Sequence, residues 1–434
     1  MSHSVTSGNL PPQAAEALDV SFSEDMLAKL RRYFAELGDA FRIHSPLTGT
    51  DIYVFNHPDH VRHVLVDHHQ NYTKGIGIER VGILLGNGIM VSEGNLWRRQ
   101  RKLIQPAFHA SVITAMSGHI RDATLQLRER WLRHAQSGTP VNLTQDMSDV
   151  TLQIVLRAIF SNDLDAMTAA QGGNPFAILT EDSERNLMFA YKFRALSKII
   201  LDCVHRRAVH GAMTPDLLAM LMTARDRKTG TPMPEKQLLD EVMTLIVAGH
   251  ETTASALNWM WYLLSQHPGV ESELHREIDA LPEEPDFDQM TGVALTRQII
   301  EETLRLYPPG WLLTRRTIAA DTIGNYPIAA DTDVFISPYL VHRHPQFWDN
   351  PEQFDPDRFS SARRQRNRFA YLPFALGPRA CIGEHFAMFE MVMHVVLLAR
   401  RLRLRYLPQQ PIELECQVNL RTKYPLMMRP ELRS

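Results

Sequence analysis

Cysteine is scarce: the 434 residues contain three, Cys203, Cys381 and Cys416. An odd number, widely spread, supports neither a disulfide framework nor a structural zinc cluster and fits a reducing cytoplasm. An excess of one charge is also missing, because 46 Lys+Arg stand against 49 Asp+Glu for a net charge of -3. A strongly basic nucleic-acid-binding chain is thereby excluded. The most apolar runs, 242–248 and 392–399, fall far short of the ~20 residues that span a bilayer. The opening MSHSVTSGNLPPQAAEALDV lacks the basic region and apolar core of a signal peptide. These absences predict a soluble, cytoplasmic protein with no membrane anchor, whose residues 1–20 form a flexible lead-in. No repeat of solenoid period occurs. What is present, 44% hydrophobic and 22% charged residues, is ordinary globular composition. Length alone, at roughly 100 to 200 residues per domain, allows two to four domains.

Apolar residues recur at helical spacing over 26–37, 59–66, 97–108, 112–135, 147–160, 196–207, 215–224, 238–266, 270–280 and 296–306. Alternating patterns are shorter, over 41–44, 51–55, 322–328 and 333–337, with a further hairpin near the C-terminus. The pattern predicts a mainly α protein with one small β-sheet region. Polar connectors at 224–236, 281–289 and 360–367 have the length of loops rather than of linkers. The run RFSSARRQRNRF concentrates Arg358, Arg363, Arg364, Arg366 and Arg368, either as a solvated loop or as a docking patch for an acidic partner.

Two familiar motifs fail. His250 and Glu251 begin an H-E-x-x-H zinc helix, but Ala254 stands where the second histidine belongs. Gly86 and Gly88 begin a dinucleotide-binding turn, but Val91 replaces its third glycine.

The informative segment is FALGPRACIGEHFAMFE, 374–390. Cys381 lies at the mouth of an apolar helix, where backbone N–H groups and the helix dipole stabilise a thiolate able to ligate iron. Gly377 allows a tight turn, Gly383 lets a flat cofactor approach the backbone, and Phe374 shields the sulfur from water. Cys203 and Cys416 read as small buried hydrophobes. Phe374, Gly377, Arg379, Cys381 and Gly383 match every fixed position of F-x-x-G-x-R-x-C-x-G. With this string the chain resembles the cytochrome P450 superfamily, haem-thiolate monooxygenases of the soluble bacterial type. At Ala375 a second glycine is common in that family, and the alanine is expected to stiffen the loop.

The resemblance implies the cytochrome P450 fold, a triangular helical prism around a buried haem, over one domain at 21–434. It extends to Ala248, Gly249, His250, Glu251, Thr252 and Thr253, which resemble the family's acid–alcohol helix. There Gly249 makes room for a diatomic ligand, and Glu251 and Thr252 are the catalytic proton relay. Glu302 and Arg305, with Arg358 of FDPDRF, resemble the buried structural triad beneath the haem. Trp97 and Arg101 resemble the W-x-x-x-R pair that holds a haem propionate. Arg379 and Arg315 resemble the other propionate-binding arginines, with Arg316 as a possible substitute for Arg315. The segment from Phe160 to Pro215, the expected roof over the substrate, is shorter than the family leads one to expect.

The implied activity is activation of O2 on Cys381-ligated haem b (iron protoporphyrin IX) and hydroxylation or epoxidation of a lipophilic small molecule. Electrons are expected from a ferredoxin or flavodoxin with its NAD(P)H-dependent reductase, because no flavin or iron–sulfur domain follows the cysteine helix. The strings RLYPPGWLLTRR and AGHETT are similar to members that oxidise fatty acyl chains, although terpenoid, steroid and polyketide oxidisers share the framework. The alternatives are a haem-thiolate peroxygenase or hydroperoxide-rearranging enzyme, and a non-catalytic haem-binding protein. The Glu251–Thr252 pair speaks against both.

Overall fold

The computed structural model describes residues 10–18, 25–181, 187–211, 215–363 and 367–433. These fall into two units that alternate along the chain. The first takes the segments up to Ile78, Glu301–Cys381 and Ile412–Lys423; the second takes Glu79–Ile300, Ile382–Pro411 and the residues from Tyr424 onward.

The first unit is built on a five-stranded sheet in the order Ala40–Ser45, Thr50–Phe55, Asp333–Ile336, Leu313–Thr317, Tyr72–Lys74. Neighbours are antiparallel except Thr50–Phe55 and Asp333–Ile336, which run parallel with Tyr53 opposite Val334. Because successive side chains of a strand point to opposite faces, Phe335 joins Phe41, Ile43, Ile52 and Val54 in one core cluster. Its neighbours Val334 and Ile336 join Phe55, Val61, Val64 and Leu372 in another. Helix Met26–Leu37 presents Leu27, Leu30 and Tyr33 to the first cluster and stops at Gly38, whose φ of 84° an L side chain rarely adopts.

The second unit is helical. Its long helix Glu235–Gln266 packs against Leu143–Phe160, and Glu384–Ala399 packs against Ala110–Ser137. Asn142 caps Leu143–Phe160 by accepting the Gln145 N–H at 3.1 Å. Gly138, at φ 69°, closes Ala110–Ser137. A three-stranded sheet joins Val141–Asn142, Met427–Leu432 and Leu402–Tyr406.

Several expectations need correction. Instead of one small sheet, the described residues form four: the two above, the hairpin Asp321–Ile323 with Tyr326–Ile328, and Leu414–Cys416 with Leu420–Thr422, the hairpin expected near the C-terminus. The single helix expected over 59–66 is an α-turn, Pro58–Arg62, running into a π-turn, His63–Asp67. Within the expected lead-in, the Ala14 and Leu18 N–H groups donate to Arg42 O and His44 O of the first strand, and both side chains are buried. Residues 1–9 and 19–20 of that stretch lie outside the described residues. The roof segment contains helices Asp163–Gln171, Ile178–Glu181 and Leu187–His210, with 182–186 and 212–214 outside the described residues.

Candidate active site

The cysteine loop is held by the first unit. Gly377 has φ 73°, and a Cβ there would lie 2.0 Å from the Leu65 carbonyl oxygen of the π-turn. Two separate constraints, a left-handed backbone and backbone-to-backbone packing, therefore demand glycine. Ala375, at φ 58°, is also left-handed but carries a side chain. The Cys381 N–H donates to Phe374 O at 2.8 Å, which closes the loop on itself. Upstream, the Leu372 N–H donates to His342 Nε2 at 2.8 Å, and His342 Nδ1 lies 3.2 Å from Arg305 O. Both ring nitrogens of a neutral His342 are thereby satisfied. Burial, with Arg305 nearby, pushes it down to about 3.

The three cysteines differ as the loop requires. Cys203 is buried, and burial pushes its thiol up to about 11; burial likewise pushes the Cys416 thiol up to about 12. Cys381 is exposed, two residues ahead of Gly383, the N-cap of helix Glu384–Ala399. An exposed sulfur on a loop with a fixed backbone fits the role of a ligand to an external metal centre. Two arginines of the same unit fit the carboxylates of such a group: Arg379, whose Nη1 donates to Tyr72 O at 3.0 Å, and buried Arg315, whose Nη1 donates to Thr314 O at 2.8 Å. Arg316 points to the other face of the strand, where Nη2 and Nε meet the Asp333 carboxylate at 2.7 and 3.2 Å. That pair leaves Arg315 as the better candidate.

Glu302, Arg305 and Arg358 meet in the interior of the first unit. Arg305 Nε and Nη2 donate to Glu302 Oε2 and Oε1 at 2.6 and 2.8 Å, and all three side chains are buried. Arg358 Nε lies 3.3 Å from Glu302 Oε1. The remaining donors of Arg305 go to the carbonyls of His342, Pro351 and Gln353, and Asp355 N–H donates to Glu302. The triad thus ties His342 and the loop 351–355 to helix Ala294–Leu306 through a planar donor fork. This removes Arg358 from the docking patch considered above. Arg363 is engaged as well, with Asp355 and Asp357 each 3.0 Å from its Nη1; Arg364 and Arg366 lie outside the described residues.

In the second unit, Gly249, Glu251 and Thr252 share helix Glu235–Gln266. Thr252 Oγ1 donates to Ala248 O at 2.9 Å, Thr253 Oγ1 to Gly249 O at 3.3 Å, and Thr151 Oγ1 to His250 O at 3.2 Å. Three successive carbonyls therefore each receive a threonine hydroxyl, a pattern that competes with the helix's own bonds. Thr151 carries no sequence signal of this contact, because it does not depart from an ordinary helix pattern. Gly249 has a packing reason to be glycine: an added Cβ would lie 2.9 Å from Val155 Cγ2. Trp97 and Arg101 lie on helix Gly94–Ile104, both partly buried.

The failed dinucleotide motif also has a structural reason. Asn87 and Ile89 N–H groups donate to the Asp240 and Glu241 carboxylates at 3.0 and 2.9 Å. A Cβ on Gly86 or Gly88 would collide with Asp240 or Thr244. These glycines let a loop lie against the long helix.

A family model, Cytochrome P450, matches residues 15–196 and 193–428. The chain is 33% identical to cyclooctatin synthase of Streptomyces melanosporofaciens over 99% of its own length and 96% of that protein. It is 32% identical to cyclooctat-9-en-7-ol 5-monooxygenase of the same organism, covering 82% and 81% of the two chains. It is 28% identical to pentalenene oxygenase of Streptomyces avermitilis, covering 84% of each. The cysteine loop, the acid–alcohol helix and these matches agree: the chain belongs to the cytochrome P450 family and is a haem-dependent monooxygenase.

Proposed function

We propose that the chain binds haem b through Cys381 and oxidises a terpenoid alkene or alkenol, the kind of compound in the names of two relatives. The observation that carries this reading is the exposed Cys381 on a loop fixed by its own N–H to Phe374 O. When bound, the haem supplies the O2 activation that no side chain can perform. The polypeptide's part is positional and protonic. Gly377 and Phe374 would keep the thiolate in place, Gly383 would start the helix that follows it, and Arg101, Arg315 and Arg379 would neutralise the propionates, with Trp97 offering its indole N–H as a donor. Thr252 Oγ1 is fixed by its bond to Ala248 O, so its lone pairs remain to accept a proton-bearing partner. Glu251, partly exposed on the same turn, exchanges protons with water and passes them on.

The two units act as one domain over 21–434 in this reading, because the family match runs through both. Electrons come from a ferredoxin or flavodoxin and its NAD(P)H-dependent reductase, in the cytoplasm. Among the described residues no helix is long and apolar enough to cross a membrane. The test is the reduced carbon-monoxide difference spectrum of wild type and Cys381→Ser, followed by spectral titration with terpenoid and fatty-acid panels. Loss of the thiolate-type band in the variant, and a terpenoid-induced shift with NADH consumption by surrogate partners, are expected. A variant that keeps the band, or turnover that needs only peroxide, refutes the reading.

A further inference from the structure

We infer that the first unit carries a binding site for a borderline divalent cation such as Zn2+, formed by His63, His68 and Asp321 and separate from the cysteine loop.

The π-turn creates the site. In an α-helix, residues five apart lie roughly 140° from one another around the axis and cannot share a ligand. Here the His68 N–H reaches back five residues to His63 O at 2.8 Å, widening the turn. The two imidazoles consequently stack, with centroids 3.9 Å apart and planes at 27°. Both rings turn a nitrogen toward one carboxylate. His63 Nε2 lies 3.0 Å from Asp321 Oδ2, and His68 Nδ1 lies 3.7 Å from Asp321 Oδ1. Ligand atoms bound at zinc's usual distances around a tetrahedral ion lie about 3.3 Å apart. Each nitrogen lies near that distance from a different oxygen of the carboxylate, and one ligand atom from each of the three residues lies within 4.8 Å of the other two.

The carboxylate is already oriented. Tyr72 O–H donates to Asp321 Oδ2 at 2.7 Å, and the Thr322 N–H donates to Oδ1 at 2.7 Å. Each oxygen thus has one lone pair held by a fixed donor and one facing a histidine, the outer-shell arrangement that tunes metal ligands. Asp321 is 10% exposed, His63 20% and His68 51%, which leaves a solvent side for a water as fourth ligand. Two imidazoles and one carboxylate suit zinc-like ions better than calcium or magnesium. The same π-turn supplies the Leu65 carbonyl against which Gly377 packs, so a bound cation would also brace the cysteine loop from behind.

The experiment is calorimetric titration of the haem-loaded, chelator-treated protein with Zn2+, in wild type, His68→Ala, Asp321→Asn and the control His44→Ala. His68 is half exposed, so its removal leaves the fold intact, and unchanged absorbance of the bound haem verifies this. One site per chain is expected, weakened at least tenfold by His68→Ala and by Asp321→Asn and unchanged by His44→Ala. Zinc-edge absorption of the loaded wild type is expected to show two imidazoles and no sulfur. Equal affinity in wild type and His68→Ala, or sulfur in the zinc shell, overturns the assignment.

Discussion

Ala375 carries a local strain that its neighbour Gly377 does not. Both are left-handed, and for a residue with a Cβ that conformation costs roughly 1 to 2 kcal/mol. Part of the gain from removing it is lost to the greater freedom of glycine in the unfolded chain. Ala375→Gly is therefore expected to raise unfolding stability by about 1 kcal/mol, with haem incorporation preserved. Urea unfolding checks this, and a variant less stable than wild type would contradict it. The cysteine loop was legible because its string is short and every position is demanding. The steric reason for Gly377 was not, since Leu65 becomes its neighbour only through the fold.

At the scale of elements, Glu302 is the only anion within the triad, and two buried guanidinium groups depend on it. Removing one member of a buried ion pair leaves an uncompensated charge and costs about 3–5 kcal/mol. Glu302→Gln keeps the shape and removes the charge, so a loss of this size is expected in the urea midpoint of the haem-loaded protein. The exposed Arg363–Asp357 pair is a natural comparison, because an exposed pair contributes at most about 1 kcal/mol. If Asp357→Asn costs as much as Glu302→Gln, the triad has no special standing.

Elements were legible where a periodic face met a clear stop. Helix Met26–Leu37 was read with its bounds from the spacing of Leu27, Leu30 and Phe34 ahead of Gly38. Strand Leu313–Thr317 was missed because adjacent Arg315 and Arg316 hide its alternation: one is buried, and the other reaches Asp333. The π-turn was invisible, since periodicity cannot report whether His68 bonds four or five residues back.

At the scale of the whole molecule, acid stability follows from histidines kept neutral. Burial pushes His342 in the first unit and His394 in the second down to about 3. A group whose folded pKa is depressed contributes stability above its unfolded value, near 6.5, and loses it as pH falls toward the folded value. Glu390 has the opposite sign. Burial raises it well above the ordinary range, and its Oε1 has no hydrogen-bond partner among the described residues, so it favours the fold at low pH. His60 and His275 are likewise pushed down, to about 4, so four histidines oppose the one carboxyl and stability falls with pH below about 6.5. Denaturation curves at pH 6.5, 5.5 and 4.5 should show this decline. A flat profile would mean that the histidines ionise in place.

The parallel pairing of Tyr53 with Val334 has a temporal side. Ribosomes add roughly 5–20 residues per second, so the hairpin Ala40–Phe55 emerges some tens of seconds before the strand that completes its sheet. Throughout that interval the Thr50–Phe55 edge, with Ile52, Val54 and Phe55 that end fully buried, is open to other nascent chains. The demand on chaperones during biosynthesis should therefore be greatest while the N-terminal end is exposed, long before Cys381 is made.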